Sequence, residues 1–520
     1  MRATQNPVRR VLRGIACATI AALVISCDKA ITQTEDLLPL NAASVDANAG
    51  SWRMIVLGTP NQVAVVAPAA TTSDVYKAEL AAIKSAQASM TPTQRERIDY
   101  WAGGGVLRWN QILRGLVARY NLPPAPRADG SYIFPDANNP FGDPGFPFAN
   151  PPYAARAYSY VAVAQYEALK AAWFYKYQYN RLSPAKQDTE IRALVPVSEL
   201  PSYPSEDAVI AGVTVAMLQV LFPAAVEEVT RRGAEEREAA LLSGKATSSD
   251  LAAGLALGRS IATLVLARAG ADGTANAVGT PSQWASLVVA AEARGEIPWI
   301  SREIPTRPPM LPNFGAVQAW SLSSAEIAAI RPPAPAPTSS TAMAAETEEV
   351  RRTVDGLTRA QRAIAQKWND GAGTYTPPGH WNDIAAEYIR DARMSEVRAA
   401  RAFAMLNMAM HDASVACWEA KYYYFNPRPS QLDARIKTDI GLPNFPAYPS
   451  GHSTFSAAAA TVLGYLFPGS ASAFGEMADE AGISRLYGGI HYRSDIVEGK
   501  AHGARVGAFS VRRGQADGSQ

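Results

Sequence analysis

The chain has 520 residues, with 49 Lys and Arg against 47 Asp and Glu. Four of the basic residues, Arg2, Arg9, Arg10 and Arg13, fall in a leader without an acid. Its removal leaves 45 basic against 47 acidic residues, a balance that excludes electrostatic recruitment to nucleic acid or to an anionic membrane surface. Only Cys17, Cys27 and Cys417 occur, which excludes a disulfide framework.

Residues 1–26 read as an export signal: a basic start, a short apolar run from Gly14 to Ile25, then Val24-Ile25-Ser26-Cys27 in the form of a lipobox. The implied product begins at a lipidated Cys27, exported and anchored to a bacterial membrane on its periplasmic or outer face. Residues 27–85 are rich in Ala, Thr and Asn and read as a tether plus a first ordered segment. Asn121–Pro152 is dense in Pro, Gly, Asn and Asp, so it is a long loop. Residues 153–180, 206–223, 226–243 and 248–269 carry apolar residues at helical spacing. They give a first helical bundle over 86–302. Alternation that would mark strands is scarce, so the fold class is all-α. Outside the leader no apolar run reaches about 18 residues, so no membrane-spanning helix is expected.

Residues 303–350 form a Pro-rich connection whose first part is expected to be ordered and whose 331–345 stretch is expected to be looser. A second bundle occupies 351–520. It opens with a helix from Thr358 through Trp368. Thr376–Trp381 reads as a turn, which holds His380. Two helices over 382–420 break near Arg393. The second carries His411 and Asp412, neighbours that cannot share one helix face. Cys417 lies in the same apolar stretch and reads as a core residue. Ser453–Phe467 is a small-residue helix ended by Pro468-Gly469. Asp495–Val511 closes the bundle, and the tail 512–520 is expected to fray.

Three blocks in this second bundle carry chemistry. The first is Lys421-Tyr-Tyr-Tyr-Phe-Asn-Pro-Arg428-Pro429, the second Pro449-Ser450-Gly451-His452, and the third Ser484-Arg485 followed by His491 and Asp495. Lys421, Arg428 and Arg485 are three cations suited to a tetrahedral oxyanion. Ser450 adds a hydroxyl. Gly451 admits close backbone approach at a helix start, where anions are favoured. Asp495, one turn from His491, suits holding that imidazole in one tautomer. His452 suits proton transfer near neutrality.

In order and spacing these blocks resemble the signature shared by vanadium-dependent haloperoxidases, bacterial class A acid phosphatases and type 2 phosphatidic acid phosphatases. The resemblance implies that Lys421, Arg428, Ser450, Gly451 and Arg485 surround the oxygens of vanadate or phosphate. It makes His491 the axial vanadium ligand or the phosphatase nucleophile, and His452 the acid–base residue. Trp418 and Phe445 stand where the chloroperoxidase branch lines its halide pocket. The partners implied are hydrogen peroxide and halide with vanadate as cofactor, or a phosphomonoester with none; a homodimer is left open. The length and doubled bundle resemble the haloperoxidases. The alternatives are an acid phosphatase working through a phosphohistidine at His491 and a non-catalytic oxyanion-binding lipoprotein.

A shift of 245 positions lays the first bundle on the second without a gap. Trp173 meets Trp418, Lys176 meets Lys421, Tyr203-Pro204-Ser205 meets Tyr448-Pro449-Ser450, and Asp250, Gly254 and Gly258 meet Asp495, Gly499 and Gly503. The chemistry does not repeat. Ser183 stands opposite Arg428, Glu206-Asp207 opposite Gly451-His452, and Ala240 and Ala246 opposite Arg485 and His491. The first bundle is therefore expected to be a degenerate scaffold, and the second to hold the intact site.

Overall fold

Helix starts in this protein are set by short polar caps. Thr91, Thr247, Thr280, Ser323 and Thr358 each close a capping box with the residue three positions on. Asn150, Ser205, Ser395 and Ser450 cap the longer core helices through single side-chain bonds. The structure, a computed structural model, describes residues 37–121, 127–131 and 150–520. The leader, Cys27 and most of the 121–152 loop lie outside the described residues.

The helices run α1 (Asp74–Ala88), α2 (Pro92–Trp101), α3 (Gly105–Tyr120), α4 (Pro151–Tyr179), α5 (Pro184–Gln187), α6 (Glu206–Leu221), α7 (Val226–Leu242) and α8 (Ser248–Gly270). After α9 (Pro281–Ala293), α10 (Ser324–Ala329), α11 (Thr341–Asp355), α12 (Arg359–Lys367) and α13 (Thr376–Asp391) come α14 (Glu396–Tyr424), α15 (Pro429–Leu432), α16 (Gly451–Leu466), α17 (Ala471–Tyr487) and α18 (Arg493–Gln515). No strand occurs among the described residues, so the fold is all-α. The bounds of α4 to α8 recur in α14 to α18 at a constant step, 151 to 396 and 270 to 515, that is 245.

The 29-residue helices α4 and α14 pack side by side at the centre of the unit spanning Pro39–Gln520. Around each, one crossing is made close by glycine. A Cβ on Gly254 or Gly258 of α8 would run into the backbone of α6, and one on Gly499 or Gly503 of α18 into the backbone at the start of α16. The segment before α1 lies along α4, where the buried Glu167 carboxylate accepts from the N–H groups of Ile55, Val56 and Leu57.

Four sequence expectations need correction. The 331–345 stretch is held, because Pro332 and Pro333 offer carbonyls that accept from Tyr424 and Tyr448, and Thr338 caps onto Glu296. The C-terminal tail is tied down: Asp517 accepts from the buried Arg401 at 2.7 Å and from the backbone of Arg53. His380 lies inside α13, not in a turn before it, since Pro377 and Pro378 occupy the first helical turn, where a missing N–H costs nothing. One span, Ser248–Asn276, is by length and composition long and apolar enough to cross a membrane. In this structure its α8 part packs on α6 through Gly254 and Gly258.

Candidate functional site

The three blocks of the second bundle converge at the N-terminus of α16. Lys421 comes from the last turn of α14 and Arg428 from the residue before α15. Ser450 is the N-cap of α16, and Arg485 lies in the last turn of α17. His491 sits just before α18, and Asp495 is the third residue of that helix. The backbone N–H of Ser450 donates to the Asp495 carbonyl at 2.9 Å, which ties the second block to the third. Lys421, Arg428, Ser450, Arg485, His491 and Asp495 are all buried.

His491 is set by its two neighbours. Its Nδ1 lies 2.8 Å from Asp495 Oδ2 and its Nε2 lies 3.0 Å from Arg428 Nη1. A guanidinium only donates. Nε2 is therefore the acceptor, and Nδ1 carries the proton and donates to Asp495. Burial, then the charges of Arg428, Lys421 and Arg485, hold the imidazole well below its usual pKa. Burial pushes the Asp495 carboxyl up. It also pulls Lys421 down to about 7, and Arg428 and Arg485 each down to about 10.

The donors are not all spent. Arg428 donates through Nε to the Phe445 carbonyl and through Nη1 to that of Ile490, but its buried Nη2 has no partner. Arg485 is oriented by Ser484 Oγ and the Ala365 carbonyl. The Lys421 ammonium donates to three carbonyls, those of Pro446, Ala447 and Pro449. His452 Nε2 is buried without a hydrogen bond, 3.9 Å from Asp370 Oδ2. Burial, then Arg485 and His380, keep that ring well below its ordinary pKa. At Gly451 a Cβ would meet nothing closer than Phe455 and Trp418 at 3.9 Å.

A cavity of about 360 Å³ opens over this point, and its lining includes Gly451, His452, Arg485, His491, Trp418 and Phe445. The Trp418 and Phe445 rings pack at 4.9 Å, and Trp418 Nε1 donates to the Met310 carbonyl of the connection. Unpartnered cationic and imidazole nitrogens around an open glycine suit an oxyanion carrying several acceptor oxygens, phosphate or vanadate alike.

Sequence reasoning missed Asp370. It precedes α13 in a left-handed conformation, φ +46°, with its carboxylate between His452 and His380, whose Nδ1 is 3.1 Å away. Its one signal is the run Asn369-Asp370-Gly371, which marks a turn and not a site. His380 stacks on Trp368 at 4.3 Å and is a partner of Asp370, outside the cavity lining. His411 and Asp412 are apart from the site. Asp412 accepts from the backbone of Trp320 and Ser321, and His411 lies among Tyr160, Phe314 and Trp320.

At the matching place in the first bundle the polar groups neutralise one another. Lys176 pairs with Glu206 at 2.7 Å, and Lys245 bridges Glu206 and Asp207.

A family model described as the PAP2 superfamily matches residues 401–518, which hold all three blocks. No curated protein matches by sequence. Among solved structures, a bacterial vanadium-dependent iodoperoxidase superposes with a TM-score of 0.55 at 21% identity, over 78% of this chain and 96% of that one. A holo-type bacterial vanadium-dependent chloroperoxidase gives a TM-score of 0.49 at 12% identity, over 74% of this chain and 97% of that one. Residues 401–518 thus resemble the PAP2 superfamily, and the chain has the fold of a bacterial vanadium-dependent iodoperoxidase.

Proposed function

We propose that this protein is a vanadate-dependent haloperoxidase-like enzyme that oxidises halide with hydrogen peroxide to hypohalous acid. The observation that carries the reading is the tautomer of His491. The Asp495 bond keeps the proton on Nδ1, so Nε2 carries the lone pair that would bond to the central atom once the oxyanion draws the Arg428 N–H, now 3.0 Å away, onto its oxygens. Arg428, Arg485, Ser450 and Gly451 surround the oxyanion oxygens, Lys421 contributes its charge, and His491 binds the central atom. Bound vanadate supplies an electron-poor centre that activates peroxide without a change of its own oxidation state. His452, kept neutral by burial, takes the proton of incoming peroxide. Trp418 and Phe445 wall off an apolar side where a weakly hydrated halide loses little on entry.

A second reading is favoured by the PAP2 match and uses the same atoms. His491 Nε2 attacks the phosphorus of a phosphomonoester as the ester P–O bond breaks. His452, protonated when the substrate's negative charge lies beside it, gives its proton to the leaving alkoxide and takes one back from the water that cleaves the phosphohistidine to release phosphate. The size and fold of the whole chain favour the first reading. We read the first bundle as a copy that kept the frame and lost the site, and the chain as exported and held by lipid on Cys27.

A paired assay decides between the two reactions. Protein loaded with orthovanadate is given peroxide, halide and a halogen-trapping dye, while vanadate-free protein is given a phosphomonoester. Vanadate-dependent halogenation that disappears in His491→Ala is the expected result. Ester hydrolysis inhibited by vanadate, without halogenation, would make the enzyme a phosphatase.

A further inference from the structure

A second cavity, of about 390 Å³, lies in the first bundle at the start of α6. Its lining includes Trp173, Leu200, Glu206, Asp207, Ala240 and Lys245. These stand 245 positions before Trp418, Phe445, Gly451, His452, Arg485 and Ile490 in the lining of the oxyanion cavity. The first bundle thus has the cavity without the cage. What differs is the sign of the groups on its wall. Glu206 and Asp207 stand for Gly451 and His452, and the wall gains Glu236 from α7 and Glu396 from the first turn of α14.

Four carboxyl groups meet two ammonium groups here. Lys176 is taken by Glu206 at 2.7 Å, and Lys245 by Asp207 at 2.7 Å and Glu206 at 3.2 Å. Glu396 rests on the start of α3, where it accepts from the N–H groups of Gly105 and Val106. Glu236 is the group left over. It is 1% exposed, its Oε2 accepts from the Trp109 indole N–H at 2.6 Å, and its Oε1 has no partner. A buried carboxylate without a cation is costly, so this group holds a proton unless a cation comes to it. Burial first, then the charge of Asp207, pushes the Glu236 carboxyl well above its usual range; Glu396 adds to the push, and the Trp109 N–H and Lys245 oppose it.

Trp101 and Ile98 add apolar wall to that of Trp173, and among the described residues no three Asp, Glu, His or Cys side chains converge as metal ligands. An organic cation suits this wall better than a metal ion. We propose that the cavity binds an organic ammonium ion, with its charge at Glu236 and its apolar body against Trp101 and Trp173. Binding exchanges a proton for the ligand. The Glu236 O–H bond gives its proton to solvent, and the carboxylate formed accepts from the ammonium N–H. The proposal goes beyond the oxyanion reaction and does not rest on it, since none of these groups belongs to the cage.

Calorimetry on the full chain tests this with phenethylammonium near pH ~7, in two buffers of different ionisation enthalpy. Saturable binding with release of about one proton per ligand is expected. 2-Phenylethanol, the same body without the charge, is expected to bind at least about tenfold more weakly. Glu236→Gln keeps the Trp109 bond through its amide carbonyl. It is expected to lower amine affinity by about tenfold or more, to remove most of the proton release and to leave orthovanadate binding within about twofold of wild type. No saturable amine binding below about 10 mM, equal binding of amine and alcohol, or amine binding without proton release would each overturn the proposal. So would unchanged amine affinity in Glu236→Gln; if that variant does not fold, the wild-type arms decide alone. A failure of vanadate to bind touches only the functional reading.

Discussion

Arg428 Nη1 lies 3.0 Å from Nε2 of His491, and because a guanidinium cannot accept, that contact decides which imidazole nitrogen keeps its lone pair. The proton goes to Nδ1 and to Asp495. A ring held this way needs no proton loss before it bonds to an electron-poor centre; only the Arg428 N–H has to move off Nε2. Asp495→Asn can offer its amide N–H to Nδ1 and turn the ring over to the other tautomer. We expect vanadate affinity or turnover to fall by roughly 10–100-fold, with a small change in melting temperature. Equilibrium dialysis and thermal melts on the same variant check both parts.

Gly451 and Gly503 make opposite predictions. A Cβ at Gly451 meets nothing closer than 3.9 Å, so Gly451→Ala folds normally and projects a methyl toward the cavity. Anion affinity falls while stability holds or rises slightly. A Cβ at Gly503 would overlap the backbone of Thr454, so Gly503→Ala costs about 1–3 kcal/mol of stability. Urea denaturation of the pair reads the contrast.

Stability depends on pH through buried histidines. His452, His491 and His502 all have folded-state pKa values pushed down, chiefly by burial, that of His502 to about 3. The unfolded chain takes up protons on these rings near pH ~6.5, and the folded protein does not. Stability is therefore intact above that pH and is lost as pH falls below it. Urea midpoints of the anion-free protein, compared at about pH 8 and about pH 5, are expected to be lower on the acid side. They fall less steeply in His502→Gln.

Asp370 faces His452 at 3.9 Å and holds His380 at 3.1 Å. A carboxylate at that distance favours the charged imidazole. Asp370→Asn removes this support, so the His452 pKa falls further and the acid limb of the rate profile moves to lower pH. Proton transfer also weakens, and turnover drops by about tenfold or more. A pH–rate profile of the variant separates this from a loss of fold, which would lower the rate at every pH alike.

The cage is legible in the sequence because its residues sit in three short blocks, and each block fixes its own geometry. One turn of helix joins His491 to Asp495, and a helix start joins Ser450 to His452. Helix bounds are legible for a similar local reason, since Thr358 with Gln361 and Thr247 with Asp250 announce starts. Asp370 is not legible. Nothing near it in the chain ties it to His452, and only the packing of α13 against α16 brings the two together. The strap through Pro332 and Pro333 reads as loose because composition registers the absence of regular structure and not the tyrosine hydroxyls that find those carbonyls. The C-terminal tail misleads in the same way, since the buried Arg401 that holds Asp517 stands 116 residues away.

The most direct test of the central claim is the stoichiometry of orthovanadate binding to the purified protein, wild type and His491→Ala side by side. One vanadate per chain in the wild type and none in the variant is the predicted result, with the first bundle contributing no site because Lys176 and Lys245 are already paired. Two per chain, or binding that survives the loss of His491, would contradict the assignment of the reaction centre to the start of α16.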